Sequence, residues 1–220
     1  LIADEILTGL GRCGELLHSV RETEPHLICI GKALGGGLPV GVVCGRRDLM
    51  KRFRDDKPGD ICFARGTFNS HPYVMSTMAE FLAHIETPAV QALYADLDRT
   101  WDTRAALLNQ KLADAGLPVR VANLSSIWTV HYLSPGRYHW MLQYYLRRHG
   151  LLLSWVGSGR IVFSLDYDEH DFHEVAQRFV NACQEMQSAG WWWFNEQDSH
   201  RSIRRSVSAD LFRRWLARRA

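Results

Sequence analysis

The sequence predicts an α/β fold in which part of a larger α/β domain is followed by a small α+β domain. Through the first 115 residues, short apolar runs bounded by glycine, proline or charge alternate with helical spacing, as buried strands and their covering helices do. The order of signals then changes, and strands and helices follow in a mixed pattern up to residue 190. The predicted domains are therefore 1–115 and 116–190, with a tail at 191–220.

The first domain is predicted to contain three strands and two helices. Three short apolar runs are the strand candidates: 1–4, 26–30 and 40–45. Apolar residues at helical spacing predict a helix over 72–85 and a longer one over 88–115. Gly116 follows directly, and glycine commonly ends a helix.

The second domain is predicted to contain four strands and two helices. The strands are expected at 119–122, 126–132, 151–154 and 160–165, and the helices at 137–149 and 168–188. Strands and helices in this order suit a small α+β layer rather than a parallel sheet.

The tail at 191–220 differs in composition from both domains. It contains seven arginines against three acidic residues, a local charge of +4. Ser208 is predicted to cap a last helix with apolar residues on one face. A basic amphipathic helix suits an acidic or membrane surface, but docking on the same or a partner chain, or a poorly ordered end, is the simpler interpretation.

Composition excludes several classes of protein. The chain has 220 residues, 46% of them hydrophobic, and a net charge of +2, so we expect a globular protein with neither a nucleic-acid nor a membrane partner. Its five cysteines contain no C-x-x-C pair, which favours reduced thiols and predicts no metal site. No apolar stretch approaches the roughly 20 residues needed to span a bilayer, and we expect a cytoplasmic location.

Lys32 is the most informative single residue, because it lies between an apolar run and three consecutive glycines. A lysine becomes a nucleophile toward carbonyls when desolvation or a neighbouring cation favours its neutral amine. The glycines indicate that something large approaches the backbone here. Asp4 lies 28 residues earlier, at the end of the first predicted strand, and the ends of successive parallel strands can share a site. Glu5 fits a structural role as well as a functional one.

Gly66 and Thr67 offer a third group, since they precede the helix predicted at 72–85. Backbone N–H groups and a hydroxyl there could hold a phosphate oxygen. A lysine for a Schiff base, an acid facing a pyridine nitrogen and donors around a phosphate are the parts that pyridoxal 5′-phosphate catalysis requires. The alternative is a solvated lysine in a plain flexible turn.

Three runs of the sequence resemble motifs of the class-III aminotransferases, in particular those of glutamate-1-semialdehyde aminomutase and related enzymes. The runs are 1–9 (LIADEILTG), 31–41 (GKALGGGLPVG) and 66–72 (GTFNSHP). Their order and spacing also agree with that family, and the similarity extends from residue 1 to about residue 186.

The resemblance implies the C-terminal part of a pyridoxal-phosphate-dependent transferase fold, in a homodimer with active sites at the subunit interface. Lys32 would form the Schiff base, and Asp4 would pair with the pyridine nitrogen. Thr67, beside Gly66, would contact the cofactor phosphate of the neighbouring subunit. Lys32 would then carry a proton between the substrate carbon and the cofactor's C4′, and the substrates would be small amino or keto compounds.

Arg160 matches a position at which many class-III aminotransferases carry an arginine for the substrate carboxylate. A guanidinium holds a carboxylate bidentately, and the aminomutases need no arginine there, so Arg160 slightly favours amino transfer to a second substrate. The three runs do not separate aminotransferase from aminomutase, and Arg160 fits an ordinary surface position equally well.

The chain begins at Leu1, inside a predicted strand, which predicts a piece of a longer polypeptide. The family's N-terminal segment, its small-residue phosphate cup and its ring-stacking aromatic residue would precede Leu1. We therefore expect the chain to be weakly active or inactive alone. The alternative is a non-catalytic remnant, or a subunit that lends Thr67 to a partner's site.

Overall fold

The computed structural model of the chain describes residues 1–51, 53–61, 66–153 and 159–218. It forms two compact units, Leu1–Thr100 and Trp101–Ala220; the domain limits taken from the sequence stay predictions. Within the described ranges, no helix is both long enough and apolar enough to span a membrane.

The first unit is built on a three-stranded sheet in the order β1-β2-β3. The strands are β1 (Ile2–Asp4), β2 (Leu27–Gly31) and β3 (Gly41–Gly45), and a short helix, α1 (Leu17–Val20), lies between the first two in the chain. All three predicted strands of this domain are present. β1 runs parallel to β2, whereas β3 is antiparallel to β2.

The exposure of the two outer strands differs from the sequence prediction of buried strands. Both β1 and β3 alternate between exposed and partly buried residues, and only the end of central β2 is fully buried. Successive side chains of a strand point to opposite faces, and in the described unit one neighbour alone flanks each outer strand. The buried-strand prediction was therefore wrong for β1 and β3.

The helices that follow the first sheet in the chain agree closely with the sequence prediction, with one break. α2 spans Pro72–Ile85, the predicted limits, and begins with proline at its first turn, where the missing N–H costs nothing. The predicted helix over 88–115 is instead two helices, α3 (Pro88–Ala95) and α4 (Leu97–Asp114). Asp96 lies between them, and its carboxylate accepts hydrogen bonds from the side chains of Arg99 and Thr100 in the next turn.

The second unit places an antiparallel sheet beside two helices. The sheet has the order β4-β5-β6, formed by β4 (Val119–Leu124), β5 (Ile127–Tyr132) and β6 (Arg160–Val162), and the helices are α5 (Met141–Arg148) and α6 (Glu169–Ser188). The helix predicted over 137–149 begins four residues late. Residues 151–153 of the strand predicted over 151–154 do not form a strand. Ser154 lies outside the described residues.

Four rings form the aromatic core of the second unit: Trp101, Trp128, Phe163 and Phe172. The Trp101 ring stacks on Phe163 at 5.0 Å and meets Trp128 edge-on at 6.0 Å. The buried Arg104 guanidinium lies 4.7 Å from the centre of the Trp101 ring and pairs with a carboxylate of α6 at 2.9 Å. Burying these rings removes a large apolar area from water and so stabilises the unit.

The tail forms a helix, α7 (His200–Ala217), whose beginning differs from the prediction. Ser199 is its N-cap, because Ser199 and Ser202 each bond the other's backbone N–H. The Ser208 cap predicted from the sequence is wrong, since Ser208 lies in the middle of α7. Arg137 bonds Ser206 and Asp210 on this helix, so α7 docks on its own unit, which is one of the sequence alternatives.

The two serines allow a direct test of the α7 limits. Ser199→Ala should lower the local stability of α7 by about 1 kcal/mol, the typical value of an N-cap serine. Ser208→Ala should leave it unchanged or raise it by a few tenths of a kcal/mol, because alanine is the better interior residue. Amide hydrogen exchange in the first turn of α7 measures both; faster exchange in Ser208→Ala alone would contradict the assignment.

Candidate active site

Asp4 and Lys32 lie at one edge of the first sheet. Asp4 ends β1, and Lys32 directly follows β2. The two strands are parallel, and Asp4 is in register with Cys29, three residues before Lys32. Both side chains therefore belong to the carboxyl ends of adjacent parallel strands, the edge at which α/β sheets bind ligands. Both residues are exposed.

The backbone at Lys32 is held in an unusual conformation. Lys32 has a φ of +46° and opens a 3₁₀ turn, Lys32–Gly35, in which Leu34 and Gly35 are buried. A left-handed conformation is uncommon for a residue with a side chain and costs about 1–2 kcal/mol. The contacts of the surrounding turn therefore hold Lys32 in this strained conformation and fix the position from which its amine projects.

The glycines around Lys32 make room for the chain itself. A Cβ atom on Gly31 would lie 2.9 Å from the Val40 carbonyl oxygen, and one on Gly35 would lie 3.0 Å from a Val40 methyl. A Cβ on Gly36 would lie 3.2 Å from the Thr77 carbonyl oxygen on α2. At these three glycines, what approaches the backbone is another part of the chain, whereas a Cβ on Gly37 would meet nothing within 4 Å. Within the run of three consecutive glycines, the predicted close approach is therefore present at Gly35 and Gly36.

Glu5 is the buried charge of this region, with only 3% of its surface exposed. Its carboxylate accepts hydrogen bonds from the Thr8 hydroxyl at 2.6 Å and from the His18 backbone N–H at 2.6 Å, and its Oε1 lies 3.0 Å from His18 Nδ1. Burial alone would raise the pKa of Glu5, but these hydrogen bonds and one from the Leu17 backbone lower the pKa below its usual value. Sequence reasoning left its role open because Thr8 and His18 are brought to it only by the fold.

Gly66 and Thr67 are exposed and precede α2, as predicted. Close to them, Phe68 and His71 line an open groove of about 1030 Å³ together with residues of β3 and α2. The His71 Nδ1 atom is buried and has no hydrogen-bond partner among the described residues. Neither Lys32 nor Asp4 lines this groove, so the described chain does not assemble all the predicted groups in one cavity.

Arg160 is exposed at the first position of β6, in register with Thr129. Here it lines a small cavity with Tyr132 and His139, whose rings stack at 4.0 Å. Burial raises the pKa of Tyr132 to about 12. Burial also lowers the pKa of His139, as does the nearby His200. Arg160 is thus an exposed residue beside the rings of Tyr132 and His139.

One group of possible metal ligands exists in the described ranges: Asp168, His170 and Asp171. All three are exposed, and the two aspartates already form the reciprocal cap of α6. Helix capping accounts for this cluster.

The family model for class-III aminotransferases matches residues 1–183 of the chain. The match includes the β1–β2 edge and the loop before α2. The chain belongs to the class-III aminotransferases.

Two curated relatives of this class-III chain have the same activity name. Glutamate-1-semialdehyde 2,1-aminomutase from Methanothermobacter thermautotrophicus is 30% identical over 132 residues, which are 60% of this chain and 30% of the relative. The enzyme of that name from Syntrophus aciditrophicus is 35% identical over 133 residues, or 60% and 29% of the two chains. The matched part of this chain thus spans less than a third of either relative.

Solved structures confirm the predicted fold class. An omega-transaminase from Sphaerobacter thermophilus superimposes with a TM-score of 0.70 at 22% identity, over 85% of this chain and 44% of that one. A transaminase with PLP bound also gives 0.70, at 25% identity, over 86% and 45%. The class-III chain therefore has the fold of part of a pyridoxal-phosphate-dependent transaminase.

Proposed function

We propose that this chain carries the catalytic lysine of a pyridoxal-phosphate-dependent class-III enzyme similar to glutamate-1-semialdehyde aminomutase. The observation that carries the proposal is the shared sheet edge, where parallel β1 and β2 present Asp4 and Lys32. The relatives' names support the aminomutase class, and the transaminase with PLP bound supports the cofactor.

The residues at this edge fit the cofactor by their chemistry. Bound pyridoxal 5′-phosphate supplies an aldehyde and a pyridine ring that can take up an electron pair. The exposed amine of Lys32, on a turn with a strained backbone, suits the aldehyde. The carboxylate of Asp4, at the end of the neighbouring strand, suits the ring nitrogen. Gly66 and Thr67 offer a backbone N–H and a hydroxyl at an exposed site before a helix, where phosphate oxygens bind well.

The three residues would have separate tasks in the proposed mechanism. Lys32 Nζ would hold the cofactor, and its amine would also move a proton to and from the substrate carbon. The Asp4 carboxylate would accept a hydrogen bond from the ring nitrogen and stabilise a positive charge there. The Thr67 hydroxyl would donate to a phosphate oxygen, and we infer a homodimer in which it serves the neighbouring subunit.

Arg160 bears on which reaction follows. Arg160 is exposed at the start of β6, and a guanidinium that bound a substrate carboxylate there would suit amino transfer between small amino and keto compounds. The relatives' names favour the alternative, an exchange of amine and carbonyl within one substrate. Lys32 performs the same proton transfers in both reactions.

Covalent labelling tests the lysine directly. The full-length product of the gene that encodes this chain is incubated with equimolar pyridoxal 5′-phosphate, reduced with borohydride and mapped by peptide mass spectrometry. Of the four lysines in the chain, Lys32 should carry the label, while the internal controls Lys51, Lys57 and Lys111 should not. Lys32→Arg should abolish specific labelling and reduce turnover by several orders of magnitude, because no other amine occupies that strand end.

The opposite distribution would reject the proposal. Equal labelling of all four lysines, or unchanged turnover in Lys32→Arg, would mean that Lys32 is a solvated loop residue. A chain that folds and takes up no label at Lys32 would instead fit the non-catalytic remnant.

A further inference from the structure

We propose that Glu5 is a positioning residue, which holds residues 5–18, here called the Glu5 loop, against the strand ends that carry Asp4 and Lys32. The proposal rests on the proposed function, because Glu5 has this task only if those two residues bind the cofactor. Both are exposed, so neither is fixed by its own burial. Their placement must come from what lies behind them.

The carboxylate of Glu5 closes the loop that bears its name. Thr8 lies three residues after it and His18 thirteen residues after it, and both donate to the same buried carboxylate. A buried charge is tolerated only when hydrogen bonds replace its water, and charged acceptors form the stronger bonds. The loop therefore begins at Glu5 and is tied back to Glu5 where α1 starts.

The same residue ties the loop to the catalytic edge of the sheet. The Glu5 backbone N–H donates to the Cys29 carbonyl on β2 at 2.8 Å, one residue beyond the end of β1. The next N–H, that of Ile6, donates to Asp4 Oδ1 at 3.1 Å. A rotation of the backbone at Glu5 would move this donor, and the carboxylate orientation of Asp4 would change with it.

The Glu5 loop also contacts both sides of Lys32. A Cβ on Gly31, just before Lys32, would lie 3.5 Å from an Ile6 methyl. A Cβ on Gly11 would lie 3.3 Å from the Cβ of Ala33, just after it. The loop that Glu5 anchors is thus packed against the turn that sets the strained Lys32 backbone.

Two variants and one control separate positioning from general stability. In the full-length protein, Glu5→Gln keeps the shape and removes the charge, and Thr8→Val removes one donor with little change of volume. Glu15→Gln is the control, because Glu15 belongs to the same loop and is exposed. Backbone amide exchange of the cofactor-free protein and equilibrium dialysis with pyridoxal 5′-phosphate are measured for all three.

Glu5→Gln should accelerate exchange at the Ile6 and His18 amides by at least about tenfold, while the β2 amides of Ile28 and Ile30 keep their rates. The dissociation constant for pyridoxal 5′-phosphate should rise on the order of tenfold, the ratio produced by losing one hydrogen bond to a charged group. Thr8→Val should act in the same direction with a smaller effect, and Glu15→Gln should change neither quantity.

Three results would overturn the proposal. Faster exchange in β2 as well as in the loop would make Glu5 a general stabiliser, and unchanged exchange at Ile6 would break the link to Asp4. Unchanged cofactor affinity together with faster loop exchange would leave Glu5 as a loop anchor only. Failure of the proposed function is seen separately, as missing borohydride labelling of Lys32 in the unsubstituted protein.

Discussion

Trp128→Ala should lower the free energy of unfolding of the second unit by about 3–5 kcal/mol, the range for deleting a buried aromatic side chain. Trp128 is 1% exposed and lies 5.0 Å from the Phe163 ring and 5.7 Å from the Phe172 ring. The truncation removes those contacts and leaves a cavity that the neighbouring rings cannot fill. It also removes the bond from Trp128 Nε1 to the Ser125 carbonyl oxygen, 3.1 Å long.

Urea denaturation followed by intrinsic fluorescence measures this loss, because all eight tryptophans of the chain lie at position 101 or later, in the second unit. Trp193→Ala is the matched control, since Trp193 is 58% exposed. Its removal should change the stability by less than about 0.5 kcal/mol. Similar losses in both variants would mean that the aromatic core is not the main support of this unit.

Gly31→Ala should destabilise the first unit by about 1–3 kcal/mol, as overpacking does, and displace Lys32. The added methyl group would lie 2.9 Å from the Val40 carbonyl oxygen, which is backbone and cannot rotate away. The 3₁₀ turn would have to shift instead, so borohydride labelling of Lys32 should fall together with the hydrogen-exchange protection of β2.

Gly41→Ala is the control, because Gly41 is the cross-strand partner of Gly31 and a Cβ there meets nothing within 4 Å. It should be neutral or stabilising by about 0.4–1 kcal/mol, since alanine reduces the freedom of the unfolded chain. Equal destabilisation by both substitutions would contradict the crowding at Gly31.

The sequence pattern predicted an element correctly where its limits depend on residues that are adjacent in the chain. α2 has its predicted limits because Pro72 starts it and the apolar spacing continues to Ile85. α7 was misplaced because Ser199 and Ser208 are both serines before apolar residues, and the reciprocal bond with Ser202 selects Ser199. The break at Asp96 was missed although aspartate favours caps and turns, because the apolar spacing of the sequence continues across it.

The features of the candidate site that depend on where strands end could be predicted from the sequence. Those that depend on tertiary contacts could not. Asp4 and Lys32 each end a recognisable strand, so their common edge follows from parallel pairing. The role of Glu5 requires His18, thirteen residues away, to return to it, and no periodicity encodes that approach. The glycines indicated a close approach to the backbone but not the approaching groups, Val40 and Thr77, because the fold brings these there.

The left-handed backbone at Lys32 also has a consequence for the stability of the first unit. Glycine, and to a lesser degree asparagine, would occupy a φ of +46° with less strain. The lysine side chain therefore stands at a position where it raises the energy of the folded state, and the contacts of the surrounding turn have to offset that strain.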